Sequence, residues 1–367
     1  MPVLTKRTLN RALLGRQLLL ERASLSVPRA VEHLVGLQAQ EPPNPYVALW
    51  SRLESFRHQD LADLLVRRRA VRLTLMRGTI HLVTARDALA MWPVMRPQLE
   101  RSFHGHLWGR SLTDLDLEEL LAAGRELVEE QPRTAAQIRE AIAERWPDHD
   151  ETSLVSAVRY LLPMVQVPPR GVWGASGLPT LTTAERWLGR PLGKGARPDR
   201  MILRYLAAFG PASIADLRTW SGLTGLREVV ERLRPRLRTF RSEEGRELFD
   251  VEDGLLPEPD RDAPPRFLPT YDNVTLSHDD RRRIVEDEDR RRMQRGMLRG
   301  NVGSVLVDGF VRGMWKVSRS RDHPTLEIVP LGRLSKVEST AVGTEGERLL
   351  AFVAGDAPDQ DVRIARG

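Results

Sequence analysis

Residues 199–251 read DRMILRYLAAFGPASIADLRTWSGLTGLREVVERLRPRLRTFRSEEGRELFDV, and their pattern decides the fold class. Ile202, Tyr205, Leu206 and Phe209 recur at i, i+3, i+4 and i+7, the spacing of one buried helix face. Gly210 and Pro211 stop that helix. Ser213 opens a second, with Asp216 three residues on as the other half of a capping box. It is short and ends at Ser221-Gly222. A third helix carries Leu226, Val229, Val230 and Leu233 on one face. Leu237–Phe240, a turn around Glu244-Gly245 and Leu248–Val251 then read as a hairpin. Three helices and a hairpin make a winged helix, a relative of the helix-turn-helix.

Working outward, the same order stands upstream. Leu117, Leu120, Leu121, Leu127 and Val128 share a helix that ends at Pro132. Thr134 and Gln137 form a capping box for the next helix, whose Ile138 and Ile142 turn inward. A third helix spans about Thr152–Leu162. Val165–Val167, the turn Pro168–Gly171 and Val172-Trp173 give its hairpin. Thr134 and Ser213 lie 79 positions apart, a period that fits one winged helix plus a linker. A looser copy opens the chain, with Leu9, Leu13, Leu14 and Leu18 on a helix capped by Thr5. Pro28 starts a second helix bearing Val31, Leu34 and Val35, and Leu61, Leu64 and Leu65 mark a third. Val71–Met76, a two-residue Arg77-Gly78 turn and Thr79–Val83 make its hairpin.

Beyond the Pro-rich linker Leu256–Pro265 the pattern changes. Strands are expected at Arg266–Leu268, Ser304–Val307, Phe310–Val317, Thr325–Val329 and Ala351–Val353, with Asp308-Gly309 as a favoured hairpin turn. An arginine-dense helix lies near Asp279–Met297. The expected fold is mainly α with β: three tandem winged-helix motifs followed by a small C-terminal β-rich, barrel-like domain. The units are 1–113, 114–198, 199–255 and 266–367.

The chain has 367 residues, 41% hydrophobic and 29% charged, as in an ordinary globular protein. No apolar run approaches the roughly 20 residues of a membrane span. The charged N-terminus carries no signal-peptide block, so a cytoplasmic, nucleoid-associated protein is expected. The complete lack of cysteine excludes disulfides, thiolate metal sites and a cysteine nucleophile. Of the 8 histidines only His104 and His106 sit close together, with no third ligand, so no metal and no cofactor is expected. Net charge is +6, and all but 4 of the 56 cations are arginine (the lysines are Lys6, Lys194, Lys316 and Lys336). Guanidinium grips phosphate bidentately, which fits a nucleic-acid partner, although a GC-rich genome would also favour arginine.

Chemistry could sit at Gln38-Ala39-Gln40, just before Glu41-Pro42-Pro43-Asn44-Pro45. The prolines make this segment extended or turned, and in extended backbone residues i and i+2 project together. The bland alternative is that one glutamine caps the preceding helix and the other is solvated.

LVGLQAQEPPNPYVALWSRL (34–53) and LMRGTIHLVTARDAL (75–89), with PRGVWG (169–174), RYLAAFGPASIADLRTWSGL (204–223) and LPTYDNVTLSHDDRRRI (268–284), resemble the AlkZ-like winged-helix DNA glycosylases of bacteria. The resemblance covers nearly the whole chain. It implies three winged helices and a C-terminal β-domain around a basic concave surface. It implies excision of N7-alkylated purines, including azinomycin-type interstrand cross-links. It also implies a catalytic glutamine–x–glutamine pair, here Gln38 and Gln40, since the family's other branch carries glutamine–x–aspartate. Neutral glutamine cannot act as a titrating base near pH 7. N7-alkylation already makes the purine a cationic leaving group, so placing a water and tolerating an oxocarbenium-like sugar are the tasks left. No lysine lies nearby in sequence, and a monofunctional enzyme that leaves an abasic site is expected.

Arg77 and His81 flank the hairpin turn beside the pair and are candidates to line the site or contact phosphate. Tyr271, Asp272, Asn273, His278 and Arg281 match the family segment at the start of the β-domain. For Asp272 and Asn273 an organising role in a turn is the competing reading. The expected partner is double-stranded DNA with alkylated or cross-linked purines, bound by a monomer with no membrane involved. The rival function is a winged-helix transcription regulator, which would need a dimer interface and a base-reading helix.

Overall fold

The computed structural model describes residues 1–367 apart from 196, 299–301, 319–322, 356, 358 and 366–367. One chain order, helix, short strand, helix, helix and hairpin, occurs three times. The first repeat comprises Val27–His33, Leu37–Gln38, Asn44–Trp50, His58–Val66, Ala70–Thr74 and Ile80–Thr84. The second comprises Leu117–Glu130, Arg133–Thr134, Ala135–Ala143, Glu151–Leu161, Met164–Val167 and Thr180–Thr183. The third comprises Asp199–Phe209, Ile214–Ser221, Leu226–Leu233, Leu237–Ser242 and Glu247–Val251, with Ala212 bridged to Phe249 where the others have a short strand. Both capping boxes read from the sequence form: Gln137 N donates to Thr134 Oγ1 at 3.3 Å and Asp216 N to Ser213 Oγ at 3.2 Å.

The first two repeats share one six-stranded sheet. From one edge it runs Leu37–Gln38, Ile80–Thr84, Ala70–Thr74, Met164–Val167, Thr180–Thr183 and Arg133–Thr134. Arg72 pairs with Gln166 and Leu73 with Val165, so the two hairpins are joined edge to edge. The joint hides two strand edges that would otherwise offer unpaired backbone groups.

Several local readings change. The hairpin partner of Met164–Val167 is Thr180–Thr183, not Val172-Trp173, which lie in the connecting loop. Arg77-Gly78 is not a two-residue turn, because strand pairing stops at Thr74 and Ile80 and Met76–Gly78 form a single 3-10 turn. The proline-rich stretch is extended only at its start. Asn44–Trp50 is a helix with Pro45 in its first turn, where no N–H is needed.

Helix Lys6–Arg16, expected to open the first repeat, packs instead on the third repeat and the C-terminal region. Arg16 donates to Asp250 at 2.6 and 2.8 Å, Gln17 to the Ala208 carbonyl at 2.7 Å, and Asn10 to the carbonyls of Arg283 and Gly309, both at 2.8 Å. Strand Val3–Leu4 extends the third repeat's hairpin in parallel. The 21-residue helix Ala85–Gly105 runs through the main apolar core with Trp92, Met95 and Leu99 buried. That core is continuous from Leu13 through Leu73, Val165, Phe209 and Trp220 to Leu268 and Leu306.

The C-terminal region is not a barrel. Arg266–Leu268, Gly303–Val307, Phe310–Val317, Thr325–Pro330 and Asp361–Ile364 form an open five-stranded sheet whose two edge strands do not pair with each other. Ala351–Val353, read as a strand, belongs to helix Lys336–Ala354, whose Val342, Leu349 and Leu350 pack on that sheet. Asp308 (φ 45°) and Gly309 (φ 80°) do make the expected turn. The segment entering this region is bolted to the first repeat. Asn44 Nδ2 donates to the Thr270 carbonyl at 2.6 Å, and Ser51 Oγ donates to the carbonyl of Phe267.

Candidate active site

Leu37–Gln38 is the edge strand of the shared sheet, and it reaches that position through Gly36. At φ +90° Gly36 adopts a conformation that L side chains rarely take, and a Cβ there would stand 2.7 Å from Val83 Cγ1. Gln38 pairs with His81 in the ladder, and Ala39 N donates to the Ile80 carbonyl at 2.7 Å. The backbone is therefore extended through Ala39, and Gln38 and Gln40 project to the same side. Gln38 is half-buried and Gln40 exposed. Neither glutamine caps the preceding helix, whose last residues are closed by backbone bonds.

Two arginines hold this strand. Arg77 sits in left-handed backbone (φ 57°) and aims inward. Its Nη2 donates to Gln38 Oε1 at 2.8 Å and to Asn273 Oδ1 at 3.0 Å, and its Nη1 to the Trp220 carbonyl at 2.8 Å. Asn273 Nδ2 in turn donates to the Gly36 carbonyl at 3.2 Å. Burial, and then the charge of Arg281, pull the Arg77 pKa down to about 10, so it remains a cation at neutral pH.

Arg72, which the sequence reading passed over, is completely buried and donates through Nη2 to the Ala39 carbonyl at 2.6 Å. Its Nε and Nη1 have no partner among the described residues. Burial, and then the charge of Arg170, lower it to about 10. The loop after Met164–Val167 closes over it. At Gly171 a Cβ would lie 2.7 Å from Arg72 Cδ. Tyr46 fastens that loop by donating to the Gly171 carbonyl at 2.9 Å and accepting from Trp173 N at 3.0 Å. One signal for Arg72 was present: it interrupts the apolar run Ala70–Leu73, whose residues are all buried.

The other candidates separate. His81 lies beside the pair but is fully buried, with Nδ1 on the Thr79 carbonyl at 3.0 Å. Burial, and then the Arg77 charge, push its pKa down to about 3, so it is neutral at pH 7. Asp272 is structural. It receives two hydrogen bonds from buried Arg52, at 2.8 and 2.9 Å, and caps the short helix Asn273–Leu276 through Val274 N. That cap is what presents Asn273 to Arg77. Tyr271 is half-buried at φ 63°. Arg281 is half-buried and acts on Arg77 through its charge. His278 is not at the site; it is buried against Tyr205 and Phe209, with Nε2 3.1 Å from the Phe209 carbonyl. Among the described residues no group of three or more histidine, aspartate or glutamate side chains is arranged to hold a metal.

The family model for AlkZ-like DNA glycosylases matches residues 31–352. The chain belongs to the AlkZ-like DNA glycosylase family. It is thus a DNA glycosylase, with DNA as its partner. Its fold is similar to that of the Streptomyces sahachiroi DNA glycosylase AlkZ, with a TM-score of 0.74 over 99% of this chain and 100% of that one, at 20% sequence identity. No curated protein matches. The regulator reading gives way to the enzyme. In this glycosylase no helix of the described residues is long and apolar enough to cross a membrane.

Proposed function

We infer that the glycosylase hydrolyses the N-glycosidic bond of N7-alkylated purines in double-stranded DNA and leaves an abasic site, with Gln38 and Gln40 as its catalytic pair. The observation that carries this reading is the chemistry around the pair. Among the described residues no carboxylate hydrogen-bonds to Gln38, Gln40 or Arg77, and the adjacent histidine, its pKa pushed down to about 3, is a neutral imidazole at neutral pH and no acid. Expelling an undamaged purine calls for an acid to protonate the leaving base. An N7-alkylated purine brings its own positive charge and needs only an oriented water and an environment of fixed dipoles.

The shallow placement of the pair, half-buried and exposed, supports a site that meets the base from a groove. Such a site suits a purine still tied to the opposite strand, because full extrusion would drag the partner base along. Azinomycin-type interstrand cross-links therefore fall within the proposed substrate range. In this reading the three repeats are winged helices that seat a monomer on the duplex, and exposed arginines supply phosphate contacts.

The test is base release from a duplex carrying a single N7-methylguanine, then from one carrying an azinomycin-type cross-link. Wild type should release the base, and Gln38→Ala/Gln40→Ala should fall to background at matched DNA affinity. Intact binding without release from either duplex by wild type would reject the substrate assignment.

A further inference from the structure

We propose that Arg77 divides the work of the glutamine pair: it fixes Gln38 as a hydrogen-bond donor to the leaving purine and leaves the water to Gln40. This rests on the reading of Gln38 and Gln40 as the catalytic pair. A guanidinium has donors and no acceptor. The atom 2.8 Å from Arg77 Nη2 is therefore the amide oxygen of Gln38, because a flipped amide would set donor against donor. Asn273 does not take that place: it is buried, its oxygen is held by the same nitrogen and one of its two N–H groups by the Gly36 carbonyl. Arg77 is itself clamped by the Trp220 carbonyl.

Gln38 Nε2 donates to no partner among the described residues and is not among their buried unpartnered atoms, so its two N–H groups are free to meet a substrate. An amide oxygen that already accepts from a cation is a poorer acceptor for water, and the same polarisation strengthens the opposite N–H. Gln40 differs. Among the described residues its oxygen meets only Ile80 N, at a long 3.4 Å, and accepts from no cation.

The reaction then balances as follows. The C1′–N9 bond breaks and its electron pair enters the purine, cancelling the charge brought by N7-alkylation. Electron density rises at N3, an acceptor on the minor-groove edge. A donor at N3 thus binds the transition state better than the ground state. A water oriented by Gln40 Oε1 bonds to C1′ and its proton passes to solvent, giving a neutral N7-alkylpurine and an abasic sugar.

Gln38→Glu keeps the size and the acceptors of Gln38 but removes both N–H groups. Single-turnover base release from an N7-methylguanine duplex should fall by about 100-fold, the scale of losing one positioned donor, with DNA affinity and melting temperature close to wild type. Gln40→Glu should retain far more activity, because a carboxylate still orients water. In a duplex with N7-methyl-3-deazaguanine, which lacks N3, the rate ratio of wild type to Gln38→Ala should collapse toward one while that of wild type to Gln40→Ala persists. A Gln38→Glu enzyme at near-wild-type rate, or a Gln38→Ala ratio unchanged by the deaza base, overturns the donor assignment. In either case the placing of catalysis on the glutamine strand survives as long as Gln40→Ala is inactive. No release by wild type from either the N7-methylguanine or the cross-linked duplex overturns the substrate assignment itself.

Discussion

Two kinds of buried arginine occupy this molecule. Where the N-terminal helix meets the third repeat, Arg16 faces Asp250 with both side chains almost inaccessible, and the charge is answered by a carboxylate through two parallel hydrogen bonds. Arg52 and Asp272 repeat the arrangement under the first repeat. Beside the glutamine strand, buried Arg72 and half-buried Arg77 are answered, among the described residues, only by neutral oxygens. Arg72 has the Ala39 carbonyl, and Arg77 has two side-chain amides and a carbonyl. A buried pair holds elements together, and breaking it leaves an uncompensated charge. An unpaired buried cation costs stability and persists because it places something else. The contrast sets the scaffold pairs apart from the arginines of the candidate site without reference to any motif.

The largest effect should come from the scaffold. Arg16→Ala leaves Asp250 buried, with only the more exposed Arg238 in reach, and should lower unfolding free energy by about 3–5 kcal/mol in denaturant titration. An intact melting curve would erase the distinction drawn here. Arg72→Met should behave in the opposite way. It removes an unanswered charge, so stability should hold or rise, but the Ala39 carbonyl loses its charge-assisted bond, worth roughly 1.5–3 kcal/mol. Base release should fall by about 10- to 100-fold, and Arg72→Lys should recover part of it; loss of stability in place of activity would class Arg72 with Arg16. The mildest effect concerns pH. Burial, and then the charges of Arg77 and Arg283, hold the pKa of His81 at about 3 and that of His278 well below its ordinary value, whereas an unfolded histidine titrates near about 6.5. Between those values the unfolded chain binds protons that the native rings refuse, so stability should fall as pH falls through that window and level off above it. Replacing either histidine with glutamine should flatten the acid limb in a pH series of melts.

How much of this was legible in the sequence follows the range of the forces involved. Helix faces, capping boxes and the Asp308-Gly309 turn depend on neighbours a few residues away, and the apolar spacing and cap residues carried them. The extended glutamine strand was legible for the same reason. Prolines misled in one place: a ring that disfavours a helix interior is well placed at its start, so Pro45 begins Asn44–Trp50. The helix Ala85–Gly105 contains Pro93 and Pro97 and went unread. Periodicity marked the buried face of Lys6–Arg16 but not the repeat it would bury that face against. The site itself was half legible. Gln38 and Gln40 are two positions apart, whereas Arg77 and Asn273 are 196 apart and nothing local couples them. His278 stood in the right segment yet turns into the core, because the short helix before it begins at the Asp272 cap and carries the chain under Phe209.

The edge-to-edge joint at Arg72–Gln166 and Leu73–Val165 also bears on inheritance. A tandem array can ordinarily gain or lose a copy and keep its remaining members whole. Here two copies have surrendered that freedom, because excising the second would uncover Ala70–Thr74, the strand that carries Arg72, and lay bare a sticky margin. The first two modules of such a chain must travel as one.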